Sequence, residues 1–273
     1  MEKRAVILGS DSRNRYIKEI LLSQDWDAHW IQGQLDPTAI DVLSSCTAAI
    51  LPANYLGGSQ IEGIADPADE VLASVNPGAA VFAGRFSPRQ KAWMVDAKTE
   101  YFELLEDPCF TLANAHYTAE AAVALAITTM SRSLIGATVV VIGSGRIAKA
   151  LVAYLEPFTK IVRVVARRPE ELERANLLGY SPYEMDEMGW ALYGADCVFN
   201  TVPSRVILKR HTHEVSKGCL YLELASAPYG SQPEDWPEHV VYLLAGGLPG
   251  KISPRSAGGA AAEYILGKME EME

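Results

Sequence analysis

The chain has 273 residues, of which 49% are apolar and 21% charged. That balance suits a folded globular protein and excludes a disordered one, and the length suggests two domains or one large one. Aspartate plus glutamate number 34 against 24 lysine plus arginine, a formal charge of −10, which excludes a general basic face for nucleic acid. No apolar run approaches the roughly 18 residues of a membrane-spanning helix; the longest covers residues 121–127. The opening Met1-Glu2-Lys3-Arg4 leads straight into a short apolar strand, so no signal peptide is expected. Cys46, Cys109, Cys197 and Cys219 are scattered, with no C-x-x-C pair. This suits a reducing, cytoplasmic setting and offers no zinc framework.

A strand–helix rhythm runs along the chain. Short apolar strands are expected over residues 5–8, 28–31, 48–52 and 79–82, with a further one over 102–105. Continuous apolar strands alternating with amphipathic helices are the mark of a parallel sheet covered on both faces. After the first strand, Gly9-Ser10-Asp11-Ser12 keeps one glycine only, so a nucleotide is not expected there; Asp11 or Ser12 should cap the following helix. Residues 118–134 are Ala-rich and free of Gly and Pro, which predicts a long buried helix stopped by Gly136. The rhythm then restarts: strand 138–142, helix 147–155, strand 161–166, helix 169–175, and strands 197–201, 220–224 and 240–244. A last Ala-rich helix is expected over 257–269. The expected fold class is α/β, with two doubly wound parallel-sheet Rossmann-like domains. The first, 1–116, is a flavodoxin-like or Rossmann-like substrate domain joined by the C-terminal helix of 257–273. The second, 117–256, binds the nucleotide.

The strongest local signal is the β-prone run ending at Ile142 that feeds into Gly143-Ser144-Gly145-Arg146-Ile147-Ala148. Gly143 allows the tight turn, Gly145 lets backbone approach a pyrophosphate, and Ala148 lets helix pack on strand. The phosphates would sit on the helix N-terminus near Arg146. About 20 residues on, where an NAD site carries an acidic residue, the chain has Ala166-Arg167-Arg168. Two guanidinium groups suit a 2′-phosphate, so NADP is expected over NAD; the alternative is two solvated arginines at a helix start. Three later turns fall at strand C-termini: Asn200-Thr201-Val202-Pro203-Ser204, Leu224-Ala225-Ser226-Ala227-Pro228, and Ala245-Gly246-Gly247-Leu248-Pro249-Gly250-Lys251. In open α/β sheets ligands lie beyond those ends, so the three turns are placed to line the nicotinamide half of a cleft. Gly, Pro, Ser and Asn also serve ordinary turns. His211-Thr212-His213 has no evident metal-binding partner, and no metal is expected; His116 reads as structural or exposed.

These strings in this order resemble the A-subunit family of dipicolinate synthase. The resemblance is carried by Ile50-Leu51-Pro52, Asn114 with Thr118 and Glu120, the Gly143 turn, Ala166-Arg167, Asn200-Thr201-Val202-Pro203-Ser204, Leu224-Ala225-Ser226, and Gly247-Leu248-Pro249-Gly250 with Pro254 and Ser256-Ala257-Gly258. It extends from Ala5 to the C-terminal helix. It implies an arrangement like that of D-2-hydroxyacid dehydrogenases. It also implies oxidation of dihydrodipicolinate, or its hydroxylated tetrahydro precursor, to dipicolinate with a nicotinamide acceptor, beside a flavoprotein-like B subunit in the mother cell of a sporulating bacterium. The chain departs from the family at Ala115-His116-Tyr117 and at Arg255, where a lysine is usual.

Roles follow from motif position. Glu120 is the expected proton acceptor and Lys251 the catalytic cation. Asn114, Thr118, Ser226 and Arg255 are the expected substrate contacts, and a homo-oligomer is expected. Gly143, Ser144, Gly145, Arg146, Ile147, Arg167, Arg168, Thr201, Val202, Pro203, Leu224 and Ala225 are expected at the cofactor. Two other readings stand open: a non-catalytic NADP(H)-binding subunit supporting the flavoprotein, and a D-2-hydroxyacid dehydrogenase of another substrate. The latter would want a histidine near the end of the nucleotide domain, where His239 instead precedes a strand.

Overall fold

The computed structural model describes residues 3–272. The chain divides into two compact units, Met1–Asn114 with Pro249–Glu273, and Ala115–Leu248. The first unit contains β1 (Arg4–Leu8), α1 (Arg13–Ser23), β2 (Asp27–Ile31), α2 (Pro37–Ser45), β3 (Ala48–Ile50), α3 (Ala68–Ala73), β4 (Ala80–Ala83), α4 (Pro88–Asp96) and β5 (Tyr101–Glu103). Helix α5 (Pro108–Thr129) carries the chain onward. The second unit continues with β6 (Val139–Ile142), α6 (Arg146–Leu155), β7 (Val162–Val165), α7 (Pro169–Leu177), β8 (Ser181–Tyr183), α8 (Met188–Leu192), β9 (Cys197–Asn200), β10 (Leu220–Glu223) and β11 (Val241–Leu244). Helices α9 (Leu248–Ile252) and α10 (Pro254–Met272) close the chain. Among the described residues no helix is long and apolar enough to cross a membrane.

Both sheets are wholly parallel. The first has strand order β2-β1-β3-β4-β5. The second runs β11-β10-β9-β6-β7-β8. Each order reverses once, between β1 and β3 and between β6 and β9, and such a reversal opens a crevice beyond the strand carboxyl ends. Successive strand residues point to opposite faces. Along β1, Ala5 and Ile7 join one core with Ile17 and Leu21 of α1, while Val6 and Leu8 join the other with Leu43, Leu72 and Met94. The second sheet repeats this. Val139 and Val141 pack on α6 and on Ala119, Ala122 and Ala126 of α5. Val140 and Ile142 pack on Met188, Leu192 and Trp236.

One expected element is corrected, and of the two expected caps of α1 the structure has the one from Asp11. The long helix begins at Pro108 and ends at Thr129 rather than covering 118–134. Asp107 starts it, its carboxylate accepting from Phe110 N–H at 2.7 Å, with Pro108 in the first helical position. Gly136, at φ +71, serves the turn into β6 and not a helix end. Ser12 does not cap α1 by its side chain; Asp11 instead accepts from Arg13 N–H at 2.9 Å.

Helix α10 starts at Pro254, three residues earlier than expected, and packs in the first unit, with Ala261, Ala262 and Ile265 in the core around α1. Small residues allow that approach. A Cβ on Gly258 would lie 2.8 Å from the Arg13 carbonyl oxygen and 2.9 Å from Tyr16 Cβ, whereas on Gly259 the nearest atom is Ile20 Cδ1 at 3.9 Å. Gly258→Ala is therefore expected to destabilise by about 1–3 kcal/mol through overpacking. Gly259→Ala should be neutral or stabilising by up to about 1 kcal/mol, because it removes backbone freedom from a helix interior. Paired thermal melts that moved in the same direction would refute this packing.

Candidate functional site

The crevice of the second sheet is built from the turn after β6. Gly143 lies at φ +114, and a Cβ there would overlap Thr201 Oγ1. Thr201 holds the turn from behind: its N–H and its hydroxyl both donate to the Ile142 carbonyl, at 2.9 and 2.8 Å. Gly145 is different. It is the N-cap of α6, no side chain caps the helix, and a Cβ on it would meet nothing within 4 Å. The first-turn N–H groups of α6 thus lie beside open space at the positive end of the helix dipole. Ala148 is buried against the sheet, while Gly145 and Arg146 are exposed and Ser144 and Ile147 half-buried.

The end of β7 separates the two arginines. Arg168 is the N-cap of α7 and donates to Glu171 Oε1 at 2.9 Å, with Glu170 at 3.6 Å. Lys149 donates to the same Glu171 oxygen at 2.8 Å, and that hydrogen bond, with the neighbouring cations, holds the Glu171 carboxyl below its usual range. Arg167 is exposed and makes no ion pair among the described residues. A hollow of about 380 Å³ lies beside the turn, lined by Ser144, Lys149, Val164, Glu171 and Arg174 among others. A larger one, about 730 Å³, surrounds Trp190, Arg210 and His213, and none of the expected site residues lines it.

Beyond the switch point, the ends of β9 and β10 hold a buried polar network that sequence reasoning missed. Asn200 and Glu223 are 0% and 1% exposed. Glu223 Oε1 accepts from Asn200 Nδ2 at 2.6 Å and Ala225 N–H at 3.1 Å. Its Oε2 accepts from Tyr221 OH at 2.6 Å and Gly230 N–H at 2.8 Å. Asn200 also donates to the Val202 carbonyl at 3.0 Å and accepts from Val202 N–H at 3.2 Å. Burial, then the Glu223 charge and hydrogen bond, push the Tyr221 phenol far above its ordinary value, so it remains a donor. The signal was present as a single polar residue ending each apolar strand, VFN and YLE. Of the expected cofactor residues here, Thr201 and Val202 are half-buried, Pro203 is exposed, and Leu224 and Ala225 are buried.

The remaining expected residues divide between the units. Thr118 is buried on α5, Glu120 is exposed on the same helix, and Ser226 is exposed after β10; all three belong to the second unit. Asn114, half-buried, and Lys251 and Arg255, both exposed, belong to the first. The segment carrying Lys251 is anchored where the Ser12 hydroxyl donates to the Gly250 carbonyl. Beside it the buried Asp11 carboxylate accepts from Arg13 Nε at 2.9 Å. The first unit's own turn after β1 is covered: a Cβ on Gly9 would lie 2.5 Å from the Glu62 carbonyl oxygen and 2.9 Å from Pro52. His116 packs edge-on against Tyr154, ring centroids 5.8 Å apart. Among the described residues no group of three or more His, Cys, Asp or Glu side chains is placed to hold a metal ion.

No family model matches the chain. Its sequence is 24% identical, over an alignment of 287 residues, to the dipicolinate synthase A subunit of Bacillus subtilis, covering 99% of this chain and 97% of that protein. The crystal structure of the dipicolinate synthase A subunit from Bacillus halodurans matches with a TM-score of 0.84 at 24% identity, covering 97% of each chain. NAD-dependent formate dehydrogenase from Staphylococcus aureus, solved in complex with NAD, matches with a TM-score of 0.59 at 12% identity, over 98% of this chain and 95% of that one. D-lactate dehydrogenases are among the further matches. The chain thus has the two-sheet Rossmann-like fold of D-2-hydroxyacid dehydrogenases and is similar, over nearly its whole length, to the A subunit of dipicolinate synthase.

Proposed function

We propose that this chain is a nicotinamide-dependent oxidoreductase that forms dipicolinate from dihydrodipicolinate or its hydroxylated tetrahydro precursor. One observation carries the reading: at the strand-order reversal, the uncapped N-terminus of α6 and the side-chain-free Gly145 face open space. That donor set fits a pyrophosphate. Gly143, Ser144, Gly145, Arg146 and Ile147 would hold the diphosphate. Arg167, which makes no ion pair among the described residues, would meet a 2′-phosphate, which favours NADP over NAD; Arg168 would support it through α7. The turns of Thr201–Pro203 and Leu224–Ala225 would flank the nicotinamide. The similarity to the dipicolinate synthase A subunit supports a substrate of this class, and a B subunit would be the partner.

The cofactor supplies a hydride acceptor. Oxidising dihydrodipicolinate removes one hydride and one proton and leaves an aromatic pyridine ring, and the hydroxylated tetrahydro precursor would first lose its hydroxyl as water, so the protein has mainly to position the substrate. Lys251 and Arg255 would pair with its carboxylates; Asn114, Thr118 and Ser226 would hydrogen-bond to it. Glu120 would accept the proton.

The deciding assay mixes the purified protein with freshly generated precursor and NADP+, then NAD+, and follows dipicolinate and reduced nicotinamide together. Both should appear without a flavoprotein B subunit. Product only in the presence of that partner would reduce this protein to a cofactor-binding accessory. Glu120→Gln should lower turnover by about 10²–10⁴-fold, the usual effect of losing a general base.

The two turn glycines should separate folding from binding. Gly143→Ala should lower the melting temperature, since positive φ alone costs about 1–2 kcal/mol and the new Cβ meets Thr201. Gly145→Val should melt near wild type yet lose nucleotide binding, and unchanged NADPH affinity would overturn the phosphate site. Arg167→Ala should weaken NADPH at least about tenfold, the effect of a charge-assisted hydrogen bond, while NADH is unaffected. Equal loss for both nucleotides would remove the 2′-phosphate assignment.

A further inference from the structure

The last row of the second sheet is apolar on three of its strands: Ile142 of β6, Val165 of β7 and Leu244 of β11. On β9 and β10 the same row carries Asn200 and Glu223, paired side by side in the ladder. These two strands lie on the side of the switch point away from β7. If the diphosphate sits over the β6 turn and the 2′-phosphorylated ribose over the end of β7, the other half of the dinucleotide lies over the ends of β9 and β10. Asn200 and Glu223 thus stand under the half that reacts, while Tyr183 of β8 ends the row at the far edge.

A carboxylate that is 1% exposed is costly to desolvate unless its lone pairs are filled. Here all four partners are donors, two on each oxygen. Through them one side chain sets backbone at three points. It holds Ala225 and Gly230, the two ends of the turn after β10, directly. It holds Val202 through Asn200, which grips both the N–H and the carbonyl of that residue. Gly230 completes the fit, because a Cβ there would overlap the Asn200 amide. A leucine would fill the volume but would specify none of these positions.

We propose that Glu223 is a positioning residue for the nicotinamide half of the site: its buried carboxylate ties the turn after β9 to the turn after β10 and fixes the height of both. This rests on the nucleotide-binding reading above. Glu223→Gln keeps the shape but replaces one acceptor with an NH₂ donor. Whichever way the amide turns, that donor faces a backbone N–H, of Ala225 or of Gly230, so at least one turn must shift.

The test is calorimetric titration of the intact protein with two probes. NADPH spans the whole site; 2′,5′-ADP carries the adenosine half alone. Glu223→Gln is expected to weaken NADPH about tenfold or more, as for one or two lost hydrogen bonds, with 2′,5′-ADP held within about twofold. A merely structural role would lower both affinities together, along with the melting temperature. Tyr221→Phe removes one donor and leaves three; it should show the same split at smaller size, and it decides the matter if Glu223→Gln fails to fold. Parallel loss of both probes, or unchanged NADPH affinity in both variants, overturns the proposal. If the wild-type protein binds neither these probes nor NADH, the nucleotide reading itself falls and takes this proposal with it; if it binds NADH alone, NADH and ADP replace the two probes and the same split is expected. Wild-type binding with no split between the probes sinks the positioning role alone.

Discussion

A parallel strand covered on both faces has no room for polar side chains along its length, so its chemistry is expelled to its ends. That constraint shapes both sheets. The strands are three to five residues long, and most of their side chains are buried. The candidate cofactor residues therefore collect in the turns beyond the carboxyl ends, and the reversal of strand order decides which of those turns diverge enough to admit a ligand.

The two units obey the same rule with opposite results. In the second, the turn after β6 is braced from behind by Thr201 and open in front of Gly145. In the first, the equivalent turn is covered by the stretch around Pro52 and Glu62, which comes close enough to Gly9 that even a methyl group would not fit. A Cβ on Gly145 would meet open space, whereas Gly9 accommodates the protein's own backbone. The α1 N-terminus of the first unit holds the Asp11–Arg13 pair and the Gly250 carbonyl, and so anchors the segment that carries Lys251.

Much of this was legible in residue order. The apolar strands, the Gly143 turn with its strand before and helix after, and the restart of the rhythm after α5 all appear as local patterns, because strand burial and turn geometry are imposed over a few neighbouring residues. The bounds of α5 were less legible. Residues 108–117 lack a clean apolar stripe, and the helix starts there because Asp107 and Pro108 form a cap that outweighs weak patterning. The two adjacent arginines looked equivalent, yet Glu171, four and three residues further on, pairs with only one of them.

The sequence by itself determined the α/β class, the alternation that yields parallel sheets, and the candidate phosphate turn, since each depends on contacts between near neighbours or on the conformational range of single residues. Only the tertiary structure decided the strand orders, which glycine faces open space, and the network of Asn200, Tyr221, Glu223 and Gly230. Those depend on how separate strands and turns come together, as when Asn200 meets Glu223 across 23 positions of sequence, and on burial. A glutamate at the end of an apolar strand is one more polar residue near a turn until the fold seals it from water and surrounds it with donors, at which point its charge has to be met and its position becomes specific.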